Sequence, residues 1–232
     1  MRGVKRSTQL DLAFRSRHGG ARPGAGRKRL PAHLRHTPHR SRAPHRESYP
    51  VHVTLRSRFA SLRRQVLLRT VLTALRVSNR AWFRIAHYSI QANHIHLIVE
   101  AESHAALASG MRGLAIRLAR RANRMLRRHG QFWADRWYDS PLRTPRQVRH
   151  ALVYVLQNRQ KHAPSTVRVP QLDPLSSAQW FDGFARGIPR GFRSVGPPCV
   201  VRAHSWLLRI GWKKRGLIEP NELPQGVATR RT

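Results

Sequence analysis

Trp82-Phe83-Arg84-Ile85-Ala86-His87-Tyr88-Ser89-Ile90-Gln91, a break at Ala92-Asn93, and His94-Ile95-His96-Leu97-Ile98-Val99-Glu100 read together as a β-hairpin. Both arms are rich in β-branched and aromatic residues, and the short break between them carries an asparagine. In the second arm Ile95, Leu97 and Val99 fall on one side of the chain and His94 and His96 on the other. A strand with this alternation presents two imidazoles in the same direction without any further folding.

Upstream of the hairpin, Val51-His52-Val53-Thr54-Leu55 alternates as a one-sided strand does, and Leu62, Val66, Leu67, Thr70, Val71 and Ala74 then recur at helical spacing to about residue 76. Downstream, Met111, Leu114, Ala115, Leu118, Ala122 and Met125 mark the apolar face of a helix spanning about residues 105–128. A short fourth strand is expected near Trp137-Tyr138-Asp139, with Tyr138 in an aromatic core cluster. Thr144-Pro145-Arg146-Gln147 forms a capping box with proline at the first helical position, opening a helix expected to run to about residue 162. The order strand, helix, strand, strand, helix, strand, helix predicts an α+β fold. It is the ferredoxin-like split β-α-β sandwich, an antiparallel sheet with helices on one face, plus a C-terminal helix. Such a fold does not by itself specify chemistry.

On either side of this pattern, hydrophobic periodicity disappears. Residues 1–48 are dense in Arg, Lys, Gly and Pro and read as a disordered basic arm; residues 49–163 form the domain. Residues 164–232 read as a basic C-terminal extension, a candidate DNA-contacting segment with a small helix at about 200–214 containing Trp206 and Trp212. The 232 residues carry 45 Lys and Arg against 10 Asp and Glu, a formal charge of +35, with 40% hydrophobic residues to build a core. Self-repulsion on this scale makes nucleic acid the default partner and an anionic membrane surface the second choice. Arg27, Lys28 and Arg29 in the arm, and Arg117, Arg121, Arg124 and Arg128 on the second helix, are candidate phosphate contacts. A GC-rich genome would produce the same excess of arginine, and a solvated tail or helix face would look the same. The one cysteine, Cys199, excludes an intramolecular disulfide framework and a cysteine-based zinc site. No apolar stretch resembles a signal peptide or membrane span, so a soluble protein of the bacterial cytoplasm and nucleoid, with no membrane partner, is expected.

On the helix after the capping box, Gln147, His150, Tyr154, Gln157, Asn158 and Lys161 share one side, while Val148, Leu152, Val155 and Leu156 form the other. Tyr154 is thus turned away from the apolar stripe, and the Asn158 amide follows it by one turn. Two histidines on a strand also suit a hydrogen-bonded surface pair, and a polar-faced tyrosine suits a wet hydroxyl. Together they describe a site for cutting a phosphodiester. A divalent ion held by His94, His96 and an oxygen donor would polarise the phosphate, and the Tyr154 oxygen would attack it and be retained as an ester. The ester conserves the bond energy for rejoining. Two imidazoles also suit zinc, whereas phosphoryl chemistry and an amide ligand favour Mg2+ or Mn2+. Chemistry based on three carboxylates has poor material here: residues 51–163 offer only Glu100, Glu102, Asp135 and Asp139, in two close pairs.

Taken in order, these residues resemble the single-tyrosine HUH transposases, the insertion-sequence 200-like group that includes the REP-associated tyrosine transposases. His94-Ile95-His96-Leu97-Ile98-Val99 after Asn93 is similar to the family's histidine-hydrophobe-histidine strand. Tyr154-Val155-Leu156-Gln157-Asn158 is similar to its nucleophile helix, and Pro50 to Arg56 to its opening strand. The resemblance covers about residues 48–163. One departure is Arg159, where many members have a proline after the amide. The resemblance implies a catalytic domain, commonly a homodimer, acting on single-stranded hairpin-forming DNA with Mg2+ or Mn2+. It implies Tyr154 as nucleophile, His94, His96 and Asn158 as metal ligands, and cleavage to a 5′-phosphotyrosine and a free 3′-hydroxyl. It leaves Lys161 and the basic residues above as DNA contacts. A non-catalytic or host-adapted DNA-binding protein of the same fold is the alternative from another class; a structural RNA-binding protein explains the charge and leaves the histidines and tyrosine unexplained.

Overall fold

Strand β1 (Val51–Arg56) buries Val51, Val53 and Leu55 and turns His52 and Thr54 the other way, as its alternation dictates. The structure is a computed structural model and describes residues 44–59, 61–158, 172–189, 192 and 197–224. Helix α1 (Gln65–Arg76) follows and buries Leu67, Leu68, Val71, Ala74 and Leu75. The hairpin forms as β2 (Phe83–Ile90) and β3 (His94–Ala101), paired from Ile90↔Ile95 to Phe83↔Ala101 with a register shift between Ile85 and His87. Helix α2 (His104–Met125) is capped by Ser103, whose hydroxyl accepts from the Ala106 N–H at 3.1 Å. Strand β4 (Tyr138–Pro141) and helix α3 (Pro145–Leu156) complete the predicted order.

All strand pairs are antiparallel, in the order β2-β3-β1-β4, so β3 lies between β1 and β2 as a split β-α-β unit requires. The fold is α+β, as expected. Pro141 sits on the edge strand, where its missing N–H costs no central ladder bond. Gly110 lets α2 approach β2 closely: a Cβ there would stand 2.2 Å from Cγ of Phe83.

The sheet divides two cores. Ile95, Leu97 and Val99 join α1 and α2 in the first; Ile98 joins α3 and the C-terminal region in the second. Residues 172–224 contribute Phe181, Phe184, Leu207, Leu208, Trp212 and Ile218 to that second core. The buried Glu100 carboxylate pins this region to β3 by accepting from the N–H groups of His204 at 2.6 Å and Ser205 at 2.8 Å. Arg149 of α3 holds it again, pairing with both Glu222 oxygens and donating to the Gly216 and Leu217 carbonyls. No helix among the described residues is long and apolar enough to cross a membrane.

Two details differ from expectation, and a third lies partly outside the described residues. Helix α3 runs from Pro145 to Leu156 and is interrupted at Gln157 (φ −119°, ψ 20°), whose amide donates to the Glu219 carbonyl at 2.7 Å; Asn158 is helical again, and the remainder of the helix expected to about residue 162 lies outside the described residues. Tyr138 is 51% exposed, because it lies on the outermost strand instead of in a core cluster. Met125 is 52% exposed at the last position of α2, where it and Val66 border an open groove between α1 and α2. Helical spacing identifies a face, and cannot tell how far along it the covering element extends.

Candidate active site

Antiparallel pairing sets Thr54 opposite His96 and Arg56 opposite His94, and residues directly opposite share a face of the sheet. Four polar side chains of two central strands are thereby gathered on the face that α3 covers. The Thr144 cap forms, its hydroxyl accepting from the Gln147 N–H at 3.2 Å, while the Gln147 side chain reaches one residue beyond the cap and accepts from the Arg143 N–H at 2.7 Å. That start fixes the rotation of α3. Val148, Leu152 and Val155 enter the second core and Tyr154, only partly buried, sits over the histidines.

The Tyr154 hydroxyl lies 3.4 Å from His96 Nε2, and its ring stands edge-on to the His96 ring at 4.9 Å. The His94 and His96 rings are 4.6 Å apart at 81°. His94 Nδ1 lies 2.7 Å from Asn93 Oδ1, an acceptor, so Nδ1 carries the proton and Nε2 the lone pair. On His96, Nδ1 meets the Thr54 hydroxyl at 3.1 Å and His52 Nε2 at 3.3 Å. With the Nδ1 proton on the Thr54 oxygen, the His96 lone pair points from Nε2 toward the tyrosine. Histidines whose second nitrogen is anchored in this way are the usual form of imidazole metal ligands.

His52 completes a stacked pair with His96, ring centroids 5.3 Å apart, and meets Tyr154 edge-on at 5.7 Å. Burial pushes its pKa down to about 4, so it is neutral at physiological pH and packs without adding charge beside the other imidazoles. Burial raises the Tyr154 pKa, and the Asn158 amide pulls it in the opposite direction. Asn158 itself is fully buried, and neither its Oδ1 nor its Nδ2 makes a hydrogen bond of ordinary geometry. A buried amide whose closest partner is the Tyr154 phenol keeps capacity at its oxygen for a cation. Two imidazoles and an amide oxygen are donor types that suit a divalent ion. Among the described residues no group of three His, Cys, Asp or Glu side chains is arranged to hold a metal.

The arginine stripe separates into different environments. Helix α2 packs on the sheet face opposite the histidines, where Arg121 and Arg124 are exposed and Arg117 donates to Ser78 Oγ at 3.2 Å. Beyond the helix end, Arg128 stacks on Phe59, its guanidinium 3.8 Å from the ring centroid. It lines a cavity of about 790 Å3 together with Arg56, Arg58, Asn93 and Gln131, and this cavity adjoins His94 through Asn93. Arg27, Lys28, Arg29 and Lys161 lie outside the described residues. Of the acids, Glu100 is fully engaged by backbone N–H groups and is structural.

His52, Thr54 and Arg56 did not stand out in the sequence as site residues. Their signal was the polar side of β1 in Val51-His52-Val53-Thr54-Leu55-Arg56, which becomes meaningful once β1 is known to pair with β3.

Fold and site together define a class: a ferredoxin-like α+β domain whose sheet carries a histidine pair facing a tyrosine on the following helix. Residues 46–158 match the family model of IS200-like transposases, bearing out the resemblance read from the residues. Among solved structures the chain is similar to a REP-associated tyrosine transposase bound to a REP hairpin, with a TM-score of 0.50 and 17% identity over 73% of this chain and 100% of that one. At that identity the likeness concerns the fold. No curated protein matches the chain. The family match ends at Asn158, so residues 172–224 lie beyond it.

Proposed function

We propose that this protein is a metal-dependent, single-tyrosine transposase that cleaves and rejoins single-stranded, hairpin-forming DNA. The observation that carries this reading is the placement of the Tyr154 hydroxyl 3.4 Å from His96 Nε2, with the buried Asn158 amide acting on the same phenol. The family match and a structural neighbour solved on a hairpin support it. A homodimer is part of the proposal.

In the reaction the Tyr154 oxygen attacks the phosphorus, a P–O bond to tyrosine forms and the bond to the 3′ oxygen breaks. The phenolic proton is given up, the departing 3′ oxygen takes one, and a 5′-phosphotyrosine and a free 3′-hydroxyl result. Reversal by another 3′-hydroxyl rejoins DNA without ATP. When bound, Mg2+ or Mn2+ would neutralise charge on the phosphate. Thr54 and Asn93 hold the imidazoles in one tautomer and orientation, His52 packs behind His96, and burial keeps Tyr154 protonated until the site is assembled. Arg56, Arg58 and Arg128 supply positive charge for the strand beside His94, while Arg121, Arg124, Lys161 and Arg27, Lys28 and Arg29 are proposed as further phosphate contacts.

The test uses one hairpin oligonucleotide labelled at either its 5′ or its 3′ end, incubated with protein and Mg2+ or Mn2+. A denaturing gel should show a protein-linked band with the 3′ label, and a shortened free strand with the 5′ label. Chelator should remove both. Tight binding with no covalent product over a panel of hairpins would instead favour a non-catalytic DNA-binding protein of the same fold.

A further inference from the structure

Trp206-Leu207-Leu208-Arg209-Ile210-Gly211-Trp212 spans a one-turn helix (Trp206–Arg209) and the start of a 3-10 turn (Gly211–Arg215) that packs on α3. Its two tryptophans have opposite fates. Trp212 is 1% exposed and donates its indole N–H to the Leu208 carbonyl at 3.0 Å, while Trp206 is 50% exposed. Trp206 is nevertheless held in place: a Cβ on Gly211 would stand 2.7 Å from Cζ3 of its indole, so the ring lies directly on the Gly211 backbone. The Lys214 ammonium is 5.2 Å from the ring centroid. Arg209, Ile210, Lys213 and Arg215 of the same segment are exposed, Lys213 lying 5.9 Å from the Trp212 ring, and no acid occurs from residue 201 to 218.

Trp206 and Ile210, both half exposed and one helical turn apart, bring apolar surface together in water, and contiguous apolar surface rimmed by polar groups marks an interaction site. Here the fixed ring carries the Lys214 ammonium and lies in a segment of exposed basic residues without an acid, which disfavours another basic surface and a second copy of the same patch as covers. A polyanion with flat apolar faces complements both features, and unpaired nucleotides are that chemistry: bases stack on the indole while ammonium and guanidinium groups meet the phosphates. We propose that Trp206, with Lys213 and Lys214, forms a stacking platform for an unpaired base of the DNA, separate from the tyrosine site and fixed to the nucleophile helix by the Arg149 and Gln157 contacts. This rests on the reading of the chain as a protein that binds DNA carrying single-stranded segments, and assigns residues 206–215 a role in recognising them.

The full chain and its Trp206→Leu, Trp206→Phe and Lys214→Gln variants would be titrated, by fluorescence anisotropy, with a hairpin bearing unpaired flanks and with a blunt duplex of equal phosphate number. Stacking of one base predicts that Trp206→Leu weakens the flanked hairpin about tenfold while Trp206→Phe stays within about threefold. Binding of the blunt duplex should change by less than about twofold in both, as that DNA offers no free base face. Lys214→Gln leaves the indole packing intact, and should lower the slope of log affinity against log salt by about 0.7 on the flanked hairpin. It keeps the proposal testable if Trp206→Leu melts early. Unchanged affinity of Trp206→Leu and Lys214→Gln on the flanked hairpin, or an equal loss on both DNAs, overturns the platform. So does a loss confined to phosphatidylglycerol vesicles, which would make the patch a membrane contact. Covalent attachment is scored in the same samples: attachment intact with no Trp206 effect sinks the platform alone, whereas wild type that neither binds nor attaches sinks the transposase reading as well.

Discussion

On the α1/α2 face of the sheet, β3 presents Ile95, Leu97 and Val99, all fully buried; on the α3 face the same strand presents His94 and His96 before turning apolar again at Ile98. The first face has the composition of a core and no other evident task. The second is divided along its length, with an apolar half that anchors α3 and residues 172–224 and a polar half that Tyr154 covers. The polar half is tolerable because its anchored nitrogens have partners: Asn93 for His94, and Thr54 and His52 for His96. Substitutions on the two faces should therefore fail differently, one in stability and the other in activity.

The largest difference is expected from His94→Ala and His96→Ala. Each should eliminate metal-dependent cleavage in a gel assay while leaving the circular-dichroism spectrum and hairpin binding close to wild type. Full cleavage by either variant would remove the metal site from the account. A smaller loss, about 10- to 100-fold in metal affinity or cleavage rate, is expected for Thr54→Val, which keeps the β-branched shape and deletes the partner of His96 Nδ1. Titrating cleavage with Mn2+ checks it, and unchanged Mn2+ dependence would make Thr54 a bystander. On the opposite face, Gly110→Ala should destabilise the fold by about 1–3 kcal/mol through its clash with Phe83 and leave the chemistry of folded protein alone. Urea unfolding beside a cleavage assay below the transition separates these effects.

The smallest effect concerns pH. His87 of β2 faces the 3-10 turn Ser177–Trp180, its Nδ1 3.3 Å from Ser177 Oγ, and burial lowers its pKa to about 4, with Asp182 pulling upward. Because the unfolded chain binds this proton more readily, its contribution to stability is complete above about pH 6.5, declines as pH falls from about 6.5 to 4, and stays flat below. Melting temperatures measured across that window should slope less in His87→Gln than in wild type; parallel curves would show that His87 is not the group responsible.

The hairpin was legible because its period-two pattern and its turn are local. The Thr144 cap of α3 was legible for the same reason, since Thr144 and Gln147 are three residues apart. What stayed hidden depends on distant pairings. Thr54 becomes a site residue through its register with His96, 42 residues away. Helix α3 is interrupted at Gln157, whose amide is captured by a carbonyl 62 residues later, and residues 204–205 join the fold through Glu100, which the sequence offers only as one of four acids in the domain. No periodicity announces such contacts. Met125 and Tyr138 expose the converse limit, as apolar or aromatic character says nothing about whether the element ends before its cover does.

The division of the sheet reduces to one claim: Tyr154 is where the DNA becomes attached. Wild type and Tyr154→Phe would be incubated with the 3′-labelled hairpin and Mn2+, the covalent species digested, and the nucleotide-bearing peptide located by mass spectrometry. Attachment on the peptide containing Tyr154 in wild type, and no adduct from a Tyr154→Phe protein that still binds the hairpin, is the predicted result. An adduct on any other residue, or one that persists in Tyr154→Phe, would contradict it.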